Sequence, residues 1–388
     1  MSLKAWIQKG RELGASDLHL EAGTPLVARV RGDLLPIGDA VSAAQLEQIT
    51  QSLLGTEPWN RFLSRGSADI SLATAGTRCR VNVYRTLRGV AVAIRLLTPS
   101  VKGLRACNLH PDLRRLTEST TGLILVSGPT GSGKSTTLAA LIEEINSSRA
   151  RNIITLESPL EYVFSNRRSF IHQREIPTHS PSFEQAIVDA LRENPDVLVI
   201  GEMRTPEVMR LTLNAAETGH LVLATLHSAT CAEALARICM SFPAEIQASI
   251  RAQLADCLVG IVCQRLDFLE SQHLRVPRCE VLIGSSSAKA TIRGGQLSQI
   301  ANVIQAGGEE GMWTFDRYQR WMDQKRDWVR ATPEENADPI PSRTPAPAPR
   351  RAAPAPSPAN LSGEISIDED MDLEELAELA KQIEKRAP

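Results

Sequence analysis

The run Gly128, Pro129, Thr130, Gly131, Ser132, Gly133, Lys134, Ser135 fits the spacing GxxxxGK[ST], and each residue type in it has a chemical reason to be there. Gly131 and Gly133 let the backbone curl so that successive N–H groups point inward at phosphate oxygens. A helix starting at this point, with Thr136 in its first turn, presents its positive end to the same anion. Lys134 brings a point charge suited to β- and γ-phosphates, and the Ser135 hydroxyl suits Mg²⁺. Such a match arises by chance on the order of once per 100 chains of this length. The apolar run Leu123–Val126 before it and the helical spacing of Thr136–Asn146 after it supply the context the motif needs. These residues read as a nucleoside triphosphate site.

Further residues follow apolar runs in a way that would bring charge to such a site. Glu202 comes after Val197–Ile200 with only Gly201 between. An acid at a strand tip beside a triphosphate meets Mg²⁺ or polarises the attacking water; without that neighbour it would be a solvated acid. Glu157 follows Ile153–Leu156, and Glu161 lies four residues on, so these acids could share metal and water; the plainer alternative is a helix-start acid. His220 and His227 bracket Leu221–Leu226, and at least one could sense the γ-phosphate. Arg80 and Arg95 fall on two strands expected to pair, far upstream of the loop. They would be ordinary surface charge, unless a neighbouring subunit supplies the cation that stabilises a transferring phosphate. The candidate metal ligands are Ser135, Glu157 and Glu202. The candidate catalytic residues are Glu157, Glu202, His227, Arg80 and Arg95.

The elements that must hold these side chains divide the chain in four. Residues 1–100 alternate short β-type runs (Leu18–Leu20, Leu26–Val30, Asp69–Leu72) with turns, Arg31 to Asp33 forming one of them. Cys79–Tyr84 and Val90–Leu97 read as a strand pair, and Ala43–Leu54 as a helix. Residues 101–120 connect. From Gly122 onward, strand-like runs at Leu123–Val126, Asn152–Leu156, Val197–Ile200 and Leu221–Thr225 alternate with helical stretches, which predicts a parallel sheet covered on both faces. Residues 232–330 read as mostly helical. Nine of the 23 prolines lie between Pro333 and Pro358, the mark of an extended linker or disordered segment. Behind it, the acidic stretch 363–388 carries Leu373, Leu376, Leu379 and Ile383 at near-helical spacing, suggesting a tethered amphipathic helix.

Composition excludes several classes. The 388 residues carry 43 Lys+Arg against 45 Asp+Glu, which argues against a surface built to hold nucleic acid. No apolar run approaches the ~20 residues of a membrane span, and Met1–Gly10 lacks the pattern of a signal peptide, so a cytoplasmic protein is expected. No two of the seven cysteines have CxxC spacing, so neither a zinc site nor a thioredoxin-type motif is supported.

The strings Thr121–Ala140 and Leu191–His227, in a stretch running from Ala15 to about Trp328, resemble the PilT/PilU type IV pilus retraction ATPases of the type II/IV secretion ATPase superfamily. The resemblance implies a PAS-like N-terminal domain (1–100), a connector (101–120), a RecA-like ATPase domain with a helical C-terminal part (121–330) and a tail (331–388). It implies ATP and Mg²⁺ as cofactors, a homo-hexamer, and an inner-membrane pilus platform protein as partner. Gly128–Ser135 match the family's Walker A loop, Thr155–Glu161 its Asp box with Glu157 on the catalytic glutamate, and Glu202 the Walker B glutamate. His220 and His227 match its His box, and Arg80 and Arg95 the arginines that reach a neighbouring subunit's nucleotide. Gly201-Glu-Met-Arg204 points to the retraction branch.

Two departures qualify the match. Ser158 stands where the Asp box has aspartate, and Ser287–Gly294 keeps only Lys289, Ile292 and Arg293 of the family's AIRNLIRE-like motif. These departures, with the tail, raise an accessory, PilU-like role, in which the tail could dock on a paralogous retraction ATPase. The alternative is a hydrolysis-poor ring subunit that regulates such a motor. A nucleic-acid translocase is disfavoured by near-neutral charge and 4% aromatics.

Overall fold

The computed structural model describes residues 2–330 apart from 31, 75, 76, 98–100 and 273. The Pro-rich segment and amphipathic tail expected over 331–388 lie outside the described residues, as does Arg31 of the expected turn.

The first part of the chain is α1 (Leu3–Glu12), β1 (Ala15–Glu21), β2 (Pro25–Val30), β3 (Asp33–Ala40), α2 (Ala43–Leu54), α3 (Thr56–Arg65), β4 (Ser67–Thr74), β5 (Thr77–Thr86) and β6 (Gly89–Leu97). The strands form one antiparallel sheet in the order β3-β2-β1-β6-β5-β4. Alternation sorts its faces. Leu18, Leu20, Cys79, Val81, Val83, Val92 and Ile94 are buried against Ile7, Leu46 and Phe62 of the helices. The intervening residues, Arg78, Arg80 and Arg95 among them, line the opposite face, where Arg80 and Arg95 sit directly across from each other. Ser42 caps α2, its hydroxyl accepting from the N–H of Gln45.

The second part begins after a 3₁₀ turn at Pro111–Glu118. It comprises β7 (Gly122–Ser127), α4 (Lys134–Ser148), β8 (Asn152–Glu157), β9 (Phe170–Glu175), α5 (Phe183–Ala190), β10 (Val197–Ile200), α6 (Pro206–Glu217), β11 (Leu221–Leu226) and α7 (Cys231–Met240). It closes with α8 (Gln247–Cys257), β12 (Leu258–Leu269), β13 (Leu274–Ile283), α9 (Ser286–Arg293), α10 (Ile300–Ala306) and α11 (Phe315–Gln324). Its sheet runs β13-β12-β7-β11-β10-β8-β9, with β7 to β12 mutually parallel and β13 antiparallel at the edge. Central strands β7, β10 and β11 are buried at every position, as apolar runs sandwiched between helices must be. One face packs residues of α5 to α10; the other packs α4, the 3₁₀ turn and α11.

The α/β class is as expected, and helices α7 to α11 account for much of 232–330. Among them lies an element absent from the sequence reading, the long hairpin β12–β13, which extends the sheet beside β7, in register from Gly260↔Ile283 to Leu269↔Leu274. Edge strand β9 is a second element absent from the sequence reading. Both matter, because each supplies a side chain to the site.

Candidate functional site

Parallel strands place their C-terminal ends together, and the loops that leave those ends build the site. Ser127 closes β7; its hydroxyl donates to the carbonyl of Ser228 at 2.9 Å and accepts from the Ser228 N–H at 2.9 Å, joining the ends of β7 and β11. The chain then turns through Gly128 (φ +149°), Gly131 (φ +80°) and Gly133 (φ +85°), backbone angles that favour glycine. Space forbids a side chain as well: a Cβ on Gly128 would lie 2.3 Å from the Gln264 carbonyl oxygen. Gln264 of β12 braces the loop. Its amide donates to the Ser132 carbonyl at 2.5 Å and its Oε1 accepts from the Thr137 hydroxyl at 2.5 Å. The Thr136 hydroxyl bonds to the Tyr162 hydroxyl at 2.8 Å, tying α4 to the segment after Glu157.

Lys134, the first residue of α4, donates to the carbonyls of Gly128 (2.8 Å) and Pro129 (3.0 Å). Its Nζ is also 3.3 Å from Nδ1 of His227, whose Nε2 is 3.0 Å from Glu202 Oε1. Glu202 Oε2 accepts from Arg204 Nε at 2.7 Å and lies 2.6 Å from its Nη2. A continuous chain of polar contacts therefore runs Lys134–His227–Glu202–Arg204. Burial lowers the pKa of Lys134, with Glu202 and Glu161 opposing, and lowers that of His227, with Lys134 adding to the effect. Burial pushes Glu202 up, but the hydrogen bond and charge of Arg204, with His227 and Lys134, hold it below the ordinary carboxylate range.

Glu157 ends β8 beside Glu202. Gly201 makes that approach possible: a Cβ there would sit 3.1 Å from the Leu156 carbonyl oxygen and 3.2 Å from the Glu157 Cα. Oε1 of Glu157 is buried without a partner. Burial pushes this carboxyl up to about 7, Glu161 adding to the rise while Thr155, Gln173 and Arg78 oppose it. A carboxyl poised near neutral pH can accept a proton from water.

The structure thus gathers Gly128–Thr136, Glu157, Glu202 and His227, with Glu161 close enough to influence Lys134 and Glu157. It does not gather His220. Leu221 pairs with Gly122 and Leu226 with Ser127, so His220 lies at the opposite end of β11, where it bonds to the Ala215 carbonyl at 3.1 Å. Arg80 and Arg95 also stand apart from this chain's loop, facing Asp69 (3.9 Å) and Asp17 (3.0 Å) on the outer face of the first sheet. Sequence reasoning missed Arg204, Gln264 and Tyr162. Arg204, two residues beyond Glu202, was the one within reach. Lys289 and Arg293 of α9 both bond to Asp256 at the end of α8. Cys231, Cys263 and Glu280 place ligand-type atoms within 4.8 Å of one another, but Glu280 already accepts the Cys231 N–H at 2.7 Å.

The model of the type II/IV secretion system protein family matches residues 3–301. The chain belongs to that family. It is 36% identical over 305 residues to the type IV pilus retractation ATPase PilT of Pseudomonas aeruginosa, covering 78% of this chain and 88% of that one. It is 39% identical over 313 residues to the uncharacterized protein YggR of Escherichia coli, covering 80% and 95%. A crystal structure of the pilus retraction motor PilT with bound ADP superposes with a TM-score of 0.74 at 34% identity, covering 86% of this chain and 98% of that one. The fold is therefore the family's, a RecA-like P-loop part preceded by a PAS-like one. Among the described residues no helix is long and apolar enough to cross a membrane.

Proposed function

We propose that this chain is a motor ATPase that couples hydrolysis of ATP to ADP and phosphate to retraction of a type IV pilus. The observation that carries the reading is the contact chain Lys134–His227–Glu202 at the mouth of a glycine loop, with Glu157 beside it. The residues fit a triphosphate and its cation. Ser132 Oγ is buried without a partner, and Lys134 spends its ammonium on the loop's own carbonyls, contacts that phosphate oxygens can replace.

In this reading Gly128–Thr136 hold the phosphates, and Ser135, Glu157 and Glu202 are the residues that would hold Mg²⁺. Bound Mg²⁺ supplies charge that offsets the phosphate oxygens. Glu157 takes the proton of the attacking water. His227 bridges Lys134 and Glu202, and its carbonyl accepts from Arg237 at 2.7 Å, so a change at the phosphate end is passed to α7. Arg80 and Arg95, 48% and 65% exposed at the side chain, serve the site of a neighbour, which supports a homo-hexamer. The ring works in the cytoplasm, at the inner-membrane base of the pilus machine, against its platform protein; nucleic acid is not a partner. Residues 1–100, 101–120, 121–330 and 331–388 act as PAS-like domain, connector, motor domain and tail.

Lys134→Ala should abolish turnover while leaving assembly intact; normal ATPase activity in that variant refutes the assignment. One residue favours a second reading. Ser158 brings no negative charge beside Glu157, as an accessory or hydrolysis-poor subunit docked through residues 331–388 on a paralogous retraction motor would tolerate. A robust ATPase rate of the chain alone decides against the dependent form, and a rate that appears only with the paralogue decides for it.

A further inference from the structure

The polar face of the first sheet carries three arginines in a row, and one behaves unlike the others. The Arg80 and Arg95 side chains are 48% and 65% exposed, whereas the Arg78 side chain is 18% exposed. Its Nη2 donates to Glu175 Oε2 at 2.5 Å, and its Nε donates to the Leu160 carbonyl at 3.3 Å. The second carboxylate oxygen of Glu175, itself 10% exposed, accepts from the Ser71 hydroxyl of β4 at 2.6 Å. Both oxygens of Glu175 are thus taken by donors of the first sheet.

The positions of these acceptors give the contact its meaning. Glu175 is the last residue of β9 and pairs in register with Glu157, the last residue of β8. The next N–H, that of Ile176, donates to the Glu157 carbonyl at 2.8 Å. Leu160 lies three residues beyond Glu157, on the loop that carries Ser158 and Glu161. One guanidinium therefore grips both the loop that follows Glu157 and the strand end paired with it.

We propose that Arg78 is a positioning residue, which with Glu175 and Ser71 clamps the 158–161 loop and so ties the first sheet to the Glu157 side of its own nucleotide site. A planar guanidinium can hold a carboxylate and a carbonyl at once from fixed directions; a lysine ammonium supplies the charge without that geometry. Movement of the first sheet relative to the second must then either drag this loop or break a shielded ion pair. The inference rests on the ATPase reading for its kinetic consequence but not for the clamp itself.

The test uses the full chain with Arg78→Ala, Arg78→Lys, Glu175→Gln and the Arg78→Ala/Glu175→Gln double variant. Hydrogen–deuterium exchange without nucleotide should show faster exchange at 158–162 and Ile176 in Arg78→Ala, with the amides of β7 and α4 unchanged. Arg80→Ala should leave that loop's exchange as it is. In steady-state ATPase assays, Arg78→Ala and Arg78→Lys should lower kcat by on the order of ten- to a hundredfold with KM for ATP nearly unchanged. The double variant should be no slower than Arg78→Ala. Unchanged exchange at 158–162, or single-variant effects that multiply in the double variant, overturns the clamp. Full recovery of kcat by Arg78→Lys overturns it too, since charge alone would then suffice. Absence of turnover in the parent chain would refute the ATPase reading while leaving the exchange result to decide the clamp.

Discussion

Glu157→Gln should make the nucleotide-free protein more stable at alkaline pH, and the size of the gain follows from the site. The carboxyl is pushed up to about 7 from an ordinary 4.5, chiefly by burial, and its Oε1 has no donor to offset the charge. Because its folded value lies above its unfolded one, the folded state holds the proton more tightly. The stabilisation this gives is complete below about 4.5 and is lost as pH rises towards and through about 7. At about 1.4 kcal/mol per pH unit, the ionised carboxylate costs the fold about 3 kcal/mol at pH 8.5. Glutamine is neutral throughout, so it removes that cost, less about 1 kcal/mol for an amide in the same shielded position. The variant should therefore gain about 2 kcal/mol over the parent at pH 8.5 and nothing, or a small loss, at pH 4.5. Chemical denaturation of parent and variant across that range, without nucleotide, reads the difference directly, and groups common to both cancel. A difference independent of pH, or one that shrinks as pH rises, refutes the assignment of a strained carboxyl. Turnover should be lost in the same variant, stability and activity being opposed at this one residue.

Two more predictions concern the frame around the site. Gln264→Leu strands the Ser132 carbonyl and the Thr137 hydroxyl, two buried partners, so a loss of about 2–4 kcal/mol is expected in thermal or chemical denaturation. The same loosening should weaken binding of a fluorescent ATP analogue, and unchanged affinity would show that the loop is rigid without its brace. Tyr318→Phe removes the hydroxyl that accepts the buried His110 N–H at 2.9 Å and should cost about 1–3 kcal/mol in the same denaturation experiment. A neutral effect would mean that this N–H finds another acceptor.

Much of the site was legible because three of its strands are short apolar runs, each followed within two residues by a polar one. Leu123–Val126 leads into the glycine loop, Val197–Ile200 into Gly201-Glu202, and Leu221–Leu226 into His227. Parallel strands buried on both faces must read this way, and their C-terminal ends must lie together. The same logic should have set His220 aside. It precedes its strand, and in a parallel sheet a residue before a strand lies at the far end from the loop. Taking both flanks of Leu221–Leu226 as equivalent ignored the strand's direction, which the glycine loop upstream had already fixed.

What stayed hidden depended on which strands are neighbours, a property no local pattern carries. The first half of β12 is buried at nearly every position, Leu258 to Gln264, because it lies inside the sheet beside β7, so the alternation that marks a strand is absent there. Its turn also lacks glycine, proline and asparagine. Gln264 then looks like a polar residue closing an apolar helix, and only its place next to β7 turns it into the brace of the phosphate loop. Arg78 is the same case from the other side. It alternates with Arg80 on β5 and shares its face, so sequence periodicity treats the two alike. What separates them is the edge strand β9, which brings Glu175 to one arginine and leaves the other exposed. The chemistry of this chain was therefore readable at its strand ends, while the side chains that hold that chemistry in place became visible only once the sheet order was known.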